Sequence, residues 1–529
     1  MEYVDHPLIK PKAIEARLYQ QVIFDSIRDE NSLVVLPTGL GKTQIAIMLT
    51  AHCMTEIPES PVLMMAPTRP LVLQHKETFE NSIDFPSKNF KVLTGKIRPK
   101  ERKEIWDRRR VFFATPQTVE RDLIAGRMSL DIFSLLVFDE AHRAVGDYPY
   151  GFIAERYMAT SKNPLILGLT ASPGGTPDQI EKVKKNLQVE RVEARSEDHP
   201  NVKPYIQPVD IKRIMLELPE PVAKIKKFLE GQLKDHLKKL KKMNFLDSIQ
   251  NVGKRGLLEV QKRIKRKQKE AGPNASRKLF TGMMEQAVAF RLSHCIELLE
   301  SQGLESLKNY LDRISRKAKK SGASKSVQRL MKDPRMKKVV RLVNSSAGRV
   351  ENPKLEKAKE IVREELSRNS ESRVILFAHY RDSVERLVNA FQDEDKVQPA
   401  KFIGQSDRGG KNGLSQKKQA NILEKFRDGE VNLLVSTSVG EEGLDIPGVD
   451  LAIFYEAVPS EIRAIQRRGR TGRRRPGQVV ILLMKDTRDE AFYWSAVHKE
   501  KKMRETLHEI GENEGEGYTQ KSIKDFGDD

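Results

Sequence analysis

Two short stretches carry residue types at spacings that suit phosphoryl chemistry. Leu33 to Leu36 is an apolar run, followed by Pro37-Thr38-Gly39-Leu40-Gly41-Lys42-Thr43 and then by Gln44 to Leu49, which reads as a helix opening. Strand, glycine-bearing turn and helix are the context in which backbone N–H groups converge on a phosphate. Gly39 and Gly41 let the turn curl, and the helix N-terminus favours negative charge. In that frame Lys42 reaches the β- and γ-phosphates of a nucleotide and the Thr43 hydroxyl holds Mg²⁺. The full pattern G-x-x-x-x-G-K-[ST] asks for glycine at position 36, where the chain has Leu36.

The second stretch is Leu135-Leu136-Val137-Phe138 running into Asp139-Glu140-Ala141-His142. An aspartate at the end of a buried strand suits the same Mg²⁺, and Glu140 is placed to orient and deprotonate an attacking water. Phosphoryl transfer asks mainly for positioning and charge neutralisation, so a lysine, a metal and a water-orienting carboxylate form a working set. Chemistry alone assigns no role to His142. Far downstream, Gln466-Arg467-Arg468-Gly469-Arg470-Thr471-Gly472-Arg473 offers arginines that suit fingers supplied in cis to the γ-phosphate. Gln20, 22 residues before Lys42, carries both a donor and an acceptor that match an adenine edge.

These residues need a scaffold that brings them together, and the apolar pattern supplies one. Val62 to Ala66, Val111 to Ala114, Leu135 to Phe138 and Leu165 to Leu169 read as buried strands, each followed by polar residues. Alternation of such strands with helices predicts a parallel sheet whose carboxyl edge gathers ligands. A second α/β pattern follows Asn352-Pro353, with strands at Arg373 to Ala378, Leu433 to Val435, Leu451 to Tyr455 and Val479 to Met484. It has no Gly-Lys-Thr turn of its own, so it is expected to complete the site of the first.

Charge separates the segment between them. The chain of 529 residues carries a net charge of +20, with 38% hydrophobic and 32% charged residues. Residues 211–350 hold 35 Lys and Arg against 13 Asp and Glu, leaving 59 basic and 61 acidic residues elsewhere. The excess is one-sided and confined, which points to nucleic-acid contact. Periodic runs such as Val222 to Leu246 and Leu257 to Glu270 predict a helical insert, whose densest basic runs are Gln261 to Lys267 and Arg313 to Lys320. Residues 175–210, punctuated by Gly and Pro, read as a connector. The tail from Glu509 is rich in Gly, Glu and Asp and reads as a disordered end or linker. Cys53 and Cys295 are the only cysteines, which argues against a disulfide framework or a structural zinc site. The N-terminus lacks the pattern of a secretory signal, and no apolar run approaches a membrane span, so the expected setting is the cytoplasm.

With these residues in order over nearly all of 15–485, the chain resembles a superfamily 2 helicase. Leu36 to Thr43 resembles that superfamily's motif I, which accounts for the missing first glycine. Gln20 resembles the Q motif, Ala66 to Arg69 motif Ia, Thr115-Pro116 motif Ib, Asp139 to His142 motif II, and Thr170-Ala171-Ser172 motif III. Phe377 to Arg381, Val435 to Asp445 and Gln466 to Arg473 resemble motifs IV, V and VI. Within the superfamily, Glu441 to Pro447 and the large helical insert are similar to the branch of archaeal Hef, Fanconi anaemia M-type proteins, RIG-I-like receptors and the Dicer motor, with Hef the nearest likeness.

The resemblance implies two RecA-like parallel-sheet motor domains with a large all-helical insert between them. The expected bounds are 1–205 for motor domain 1, 206–350 for the basic thumb-like insert, 351–505 for motor domain 2 and 506–529 for an acidic Gly-rich tail. It implies ATP and Mg²⁺ as cofactors, with Lys42, Asp139, Glu140, Arg470 and Arg473 catalytic. Gln20, Thr38, Gly39, Gly41, Lys42, Thr43 and Asp445 would bind nucleotide, and Thr43 and Asp139 the metal. Arg69, Thr115 and Thr437 would grip the phosphodiester backbone of the tracked strand without reading sequence. In the insert, Lys262, Arg263, Lys265 and Arg266 are expected on the duplex arm. The implied activity is remodelling of forked or branched DNA in replication restart and repair, beside the nucleoid of a prokaryotic cytoplasm and with other replication or repair proteins as partners. Hef proteins also carry a C-terminal nuclease, and no nuclease activity is expected from these residues. A double-stranded-RNA-dependent ATPase of the RIG-I or Dicer type uses the same motor motifs and stays open, as does a scaffold that binds ATP without turnover.

Overall fold

The computed structural model describes residues 2–106, 111–172, 174, 177–197, 199–206, 209–250, 252–272, 276–404, 413–437, 448–456 and 477–515. Asp445, Arg470 and Arg473, with the rest of 438–447 and 457–476, lie outside the described residues.

The first α/β unit runs α1 (Leu18–Ile27), β1 (Ser32–Val35), α2 (Lys42–Glu56), β2 (Val62–Met65), α3 (Arg69–Ser82), β3 (Phe90–Leu93), α4 (Pro99–Trp106), β4 (Val111–Ala114), α5 (Pro116–Ile124), β5 (Leu135–Asp139), α6 (Pro149–Thr160), β6 (Ile166–Thr170), α7 (Pro177–Leu187) and β7 (Arg191–Ala194). Its sheet has the order β3-β4-β2-β5-β6-β1-β7, and every pair is parallel. β1, β2, β4, β5 and β6 are buried along their whole length. That is why they read as continuous apolar runs: helices cover both faces of a parallel sheet. Residues 175–210, expected as a connector, instead supply α7 and β7. Ile180, Val183 and Leu187 form the buried face of α7, and β7 pairs with β1.

The chain then enters the second sheet before the helices begin. β8 (Val209–Leu216) pairs in parallel with the last strand, and the order is β10-β11-β9-β12-β13-β8. The remaining strands are β9 (Val374–Phe377), β10 (Pro399–Phe402), β11 (Leu433–Ser436), β12 (Leu451–Phe454) and β13 (Gly477–Met484). The helices of the segment expected to start at 206 therefore begin at Glu220. This insert contains α8 (Glu220–Lys242), α9 (Lys254–Ala271), α10 (Arg277–Ala318), α11 (Lys325–Lys332) and α12 (Pro334–Ser346), around a core of its own that includes Ile225, Leu229, Leu292, Leu307 and Met336. α13 (Pro353–Arg368), α14 (Arg381–Gln392) and α15 (Gln416–Asp428) belong to the second α/β unit. α16 (Arg488–Gly515) packs against β13, α10 and, across the molecule, β7. Residues 506–515, expected as tail, continue this helix.

α10 is two helices that meet at Gly303, where φ is +80° and ψ −177°. The rings of His294 and Tyr310 lie 4.8 Å apart. In a straight helix, residues 16 apart stand about 24 Å apart, so the halves fold back on each other. Only a residue without Cβ takes that φ readily.

The insert is fastened to the second unit by side chains. Tyr380 Oη donates to Glu297 Oε1 at 3.3 Å, and Arg386 donates to the Gln302 carbonyl at 2.7 Å and to Ser306 Oγ at 2.8 Å. Arg488 donates to Ser293 Oγ at 3.1 Å and lies 3.6 Å from Glu300, while Lys226 Nζ donates to the Asp486 carbonyl. Tyr380 stands in the segment that resembles motif IV, so that segment touches the insert directly.

Candidate nucleotide and nucleic-acid site

β1 ends at Val35, which lies opposite Thr170 of β6 and Ala194 of β7. Leu36 N donates to the Thr170 carbonyl at 3.1 Å, so the turn after β1 starts hydrogen-bonded to the residue that opens the motif III-like segment. Gly39 and Gly41 have φ of +89° and +71°. Beneath the turn, the Leu40 carbonyl accepts from Tyr19 Oη at 2.8 Å and from Gln20 Nε2 at 3.1 Å. Gln20 is buried, and its Nε2 also reaches Tyr19 Oη. The structure thus places Gln20 as a support of the turn; the adenine contact expected of it is a proposal.

Lys42 opens α2 and Thr43 follows it. Lys42 Nζ donates to the Leu36 carbonyl at 2.8 Å and the Pro37 carbonyl at 3.3 Å, folding its charge into the turn. Asp139 ends β5 and is 8% exposed. Tyr150 Oη donates to its carbonyl at 2.7 Å, and His75 Nε2 lies 2.8 Å from its Oδ2. Burial pushes the Asp139 carboxyl up, but the His75 imidazole and its hydrogen bond, Lys42 and the Glu140 backbone together hold it below the usual carboxylate value. Asp139 is therefore an anion even in this enclosed place, as a cation-binding carboxylate must be.

Glu140 adopts φ +52°, ψ +49°, a left-handed conformation unusual for glutamate. Such strain persists where the surroundings over-determine it, and it gathers at functional sites. His142 Nδ1 lies 3.1 Å from Thr170 Oγ1 and 3.3 Å from Glu140 Oε2. Burial first, then Arg143 and Lys42 against an opposing pull from Asp139, lowers His142 to about 4, so it is neutral at physiological pH. Thr170 Oγ1 in turn donates to the Ser172 carbonyl at 3.0 Å. His142, left without a role by the sequence, links the DEAH turn to the Thr-Ala-Ser turn.

The residues present fit a nucleoside triphosphate with Mg²⁺. A lysine ammonium rests on backbone carbonyls where phosphate oxygens would replace them. Thr38 Oγ1 in the turn and Gln44 Oε1 at the start of α2 are buried with no hydrogen-bond partner among the described residues. Thr43 and Asp139 would hold the metal, which would draw charge from the phosphates.

The backbone-gripping candidates fall at neighbouring strand ends. Arg69 is the first residue of α3, and Thr115 stands just before α5, its Oγ1 2.9 Å from Thr118 Oγ1. Ala66 N donates to the Ala114 carbonyl at 3.1 Å, so the two loops leave the sheet side by side. Thr437 follows β11 and is buried, its amide donating to the Phe402 carbonyl.

Lys262, Arg263, Lys265 and Arg266 are exposed on α9, flanking the buried Ile264. Two of the four have carboxylates nearby: Arg263 lies 3.9 Å from Asp247, and Arg266 lies 3.6 Å from Glu270. The fold-back of α10 builds a denser array. Arg291, Arg313, Lys317 and Lys320 line a cleft of about 530 Å³ with Tyr310 and the Ser321 to Ser324 loop, and no carboxylate is among the described residues that line it. The Arg313 guanidinium sits 5.4 Å from the Tyr310 ring centre. The sequence showed the run 313–320; Arg291 joins it only through the turn at Gly303. His75 was missed altogether. Its signal was a histidine in phase with Val72 and Phe79 on the buried side of a helix.

Comparison with known proteins places these features. Residues 13–175 match the family "Type III restriction enzyme, res subunit", and 354–475 match "Helicase conserved C-terminal domain". Residues 222–350 match the family "Putative ATP-dependent RNA helicase, helical bundle". The crystal structure of the Pyrococcus furiosus Hef helicase domain is 44% identical, with a TM-score of 0.73, covering 92% of this chain and 99% of that one. A Methanocaldococcus jannaschii protein named "Putative ATP-dependent RNA helicase" is 42% identical over 96% of this chain, and a Neurospora crassa "ATP-dependent DNA helicase" of the mph1 type is 34% identical over 90%. The chain spans 62% and 41% of the length of these two relatives.

Proposed function

We propose, from the premise that this chain belongs to the superfamily 2 helicases of the Hef, Mph1 and Fanconi anaemia M type, that it is an ATP-driven DNA translocase acting on forked or branched DNA. The observation that carries the reading is the convergence of Lys42, Asp139, Glu140 and His142 at the carboxyl edge of one sheet, beside strand ends that present Arg69 and Thr115.

In this reading Lys42 leaves the Leu36 and Pro37 carbonyls for the γ-phosphate, and Thr43 and Asp139 hold Mg²⁺. Bound there, Mg²⁺ neutralises charge on the phosphates. Glu140 takes a proton from the attacking water, while neutral His142 keeps Glu140 and Thr170 in register. Arg470 and Arg473 would approach from the second motor domain, and Asp445 would touch the ribose. Gln20 would sense the adenine and pass its position to the Leu40 carbonyl. Closing and opening of the two domains would shift the grip of Arg69 and Thr115 against that of Thr437 along one strand. The insert, fastened through Arg386, Tyr380 and Arg488, would move with the second domain and hold the duplex arm in the Arg291–Lys320 cleft. The bounds 1–205 and 351–505 for the two motors are part of this proposal, with the strand Val209–Leu216 added to the second. The proposed setting is the cytoplasm, beside the nucleoid; among the described residues no helix is long and apolar enough to cross a membrane.

An RNA reading also has an observation behind it, since relatives such as the Methanocaldococcus jannaschii protein, and the insert's family, carry RNA helicase names. The deciding experiment is ATP hydrolysis measured with no polymer, forked DNA, linear duplex DNA and duplex RNA. Strongest stimulation by forked DNA is the expected result. Strongest stimulation by duplex RNA would overturn the DNA assignment and keep the motor.

A further inference from the structure

α3 joins two places that the hydrolysis cycle must connect. Its first residue is Arg69, and six residues along, about 9 Å by helical rise, stands His75. His75 is 5% exposed and lies on the buried side with Val72 and Phe79. Phe79 packs edge-on against Phe113 of β4 at 5.1 Å, which fixes the helix against the sheet. From that fixed helix, Nε2 of His75 meets Oδ2 of Asp139 at 2.8 Å. Nδ1 is buried with no hydrogen-bond partner among the described residues.

We propose that His75 is a positioning residue that ties the nucleic-acid-facing end of α3 to the metal-binding carboxylate, so that grip on the polymer sets the aim of Asp139. The geometry gives the ring one polar task. Nδ1 makes no hydrogen bond among the described residues, a penalty of burial that a phenylalanine or leucine would avoid. A ligating carboxylate is aimed by the hydrogen bonds made to its other lone pairs. A second link runs to the main chain of the same residue: Tyr150 Oη reaches both the Asp139 carbonyl at 2.7 Å and the Met65 carbonyl at 3.4 Å. Met65 ends the strand that leads into α3. A shift of α3 when a phosphodiester seats on Arg69 is therefore felt at Asp139 through the His75 side chain and through the main chain of β2. Of the two, only the His75 bond is made to the carboxylate itself.

The inference rests on the proposed nucleic-acid-stimulated hydrolysis, and its test separates the two. His75→Phe keeps the ring and removes the bond; His75→Gln keeps an amide donor at nearly the same reach. Two quantities are measured on the full chain. One is the ratio of kcat with saturating forked DNA to kcat without polymer. The other is the factor by which a non-hydrolysable ATP analogue with Mg²⁺ changes DNA affinity, read by fluorescence anisotropy. Binding linkage requires the reciprocal effect of DNA on analogue affinity to have the same size. In His75→Phe the stimulation ratio is expected to fall at least tenfold and the analogue's effect on DNA affinity to shrink towards one. DNA affinity without nucleotide should stay within twofold of the parent, and His75→Gln should recover most of both losses. Equal loss of stimulated and unstimulated rates in His75→Phe, with the analogue's effect intact, would overturn the coupling role. So would a His75→Gln protein as uncoupled as His75→Phe. If His75→Phe does not fold, His75→Gln against His75→Leu supplies the same comparison. A parent chain that no polymer stimulates would instead overturn the proposed function itself.

Discussion

Gln20 donates its side-chain amide to the Leu40 carbonyl at 3.1 Å, and a Cβ placed on Gly41 would stand 2.3 Å from the same nitrogen. The glutamine and the glycine are fitted to one another: the turn passes over a buried amide with no room for a methyl group.

Gly41→Ala therefore meets two obstacles. Its φ of +71° costs an alanine about 1–2 kcal/mol, and the clash with Gln20 adds to that. Affinity for a fluorescent ATP analogue should fall at least tenfold, with a lowered melting temperature. Adding Gln20→Ala should recover part of the melting temperature, since it removes the clash and leaves the backbone strain.

The cleft beneath the fold-back of α10 predicts where the insert holds its polymer. Neutralising Arg313, Lys317 and Lys320 together should lower forked-DNA affinity at least tenfold at moderate salt. The slope of log K against log salt should flatten by about 0.9 for each phosphate that these side chains no longer neutralise. Neutralising Lys262, Arg263, Lys265 and Arg266 should do less, because Arg263 and Arg266 already lie near Asp247 and Glu270. Binding titrations at several salt concentrations check both. An α9 variant with the larger loss would return the main grip to that helix.

Cys53 and Cys295 are buried, and burial pushes both thiols up to about 12. Alkylation needs the thiolate, so neither should react with iodoacetamide at pH 8 while the chain is folded. Both should react in denaturant. Cys53 lies on α2 and Cys295 on α10, so mass spectrometry of partly unfolded protein reports the motor and the insert separately.

His142 predicts a loss of stability in acid. Its folded value is lowered to about 4 from 6.5, so between these values the unfolded chain binds the extra proton. Its contribution is complete above pH 6.5 and is lost as pH falls towards 4, amounting to about 3 kcal/mol at most. Urea midpoints measured from pH 7 to pH 4 should fall less steeply in His142→Gln than in the parent. Equal slopes would mean that His142 is solvated in the folded chain.

How far the sequence could be read depended on where each strand sits. The strands β1, β2, β4, β5, β6, β9, β11, β12 and β13 were all legible, and each lies inside its sheet. The four that went unread, β3, β7, β8 and β10, are the four sheet edges. An interior strand of a parallel sheet is covered on both faces and must be apolar throughout. The edge strands carry charged residues such as Lys91, Glu193, Arg213 and Lys401 among their apolar ones, which blurs their pattern.

The nucleotide site divides in the same way. Lys42, Thr43, Asp139 and Glu140 were legible because turn chemistry and strand ends are local: a glycine that must take positive φ and a carboxylate after an apolar run are written within a few residues. By itself the sequence thus determined the order of the motifs, the two parallel sheets and the segment that holds the excess positive charge. Only the tertiary structure decided which distant residues meet. His75 reaches Asp139 across 64 positions, Arg291 joins Arg313 through the turn at Gly303, and β8 crosses to the second sheet before the insert begins. Local propensity cannot encode such pairings, because each is set by how helices and strands pack once their apolar faces are buried together.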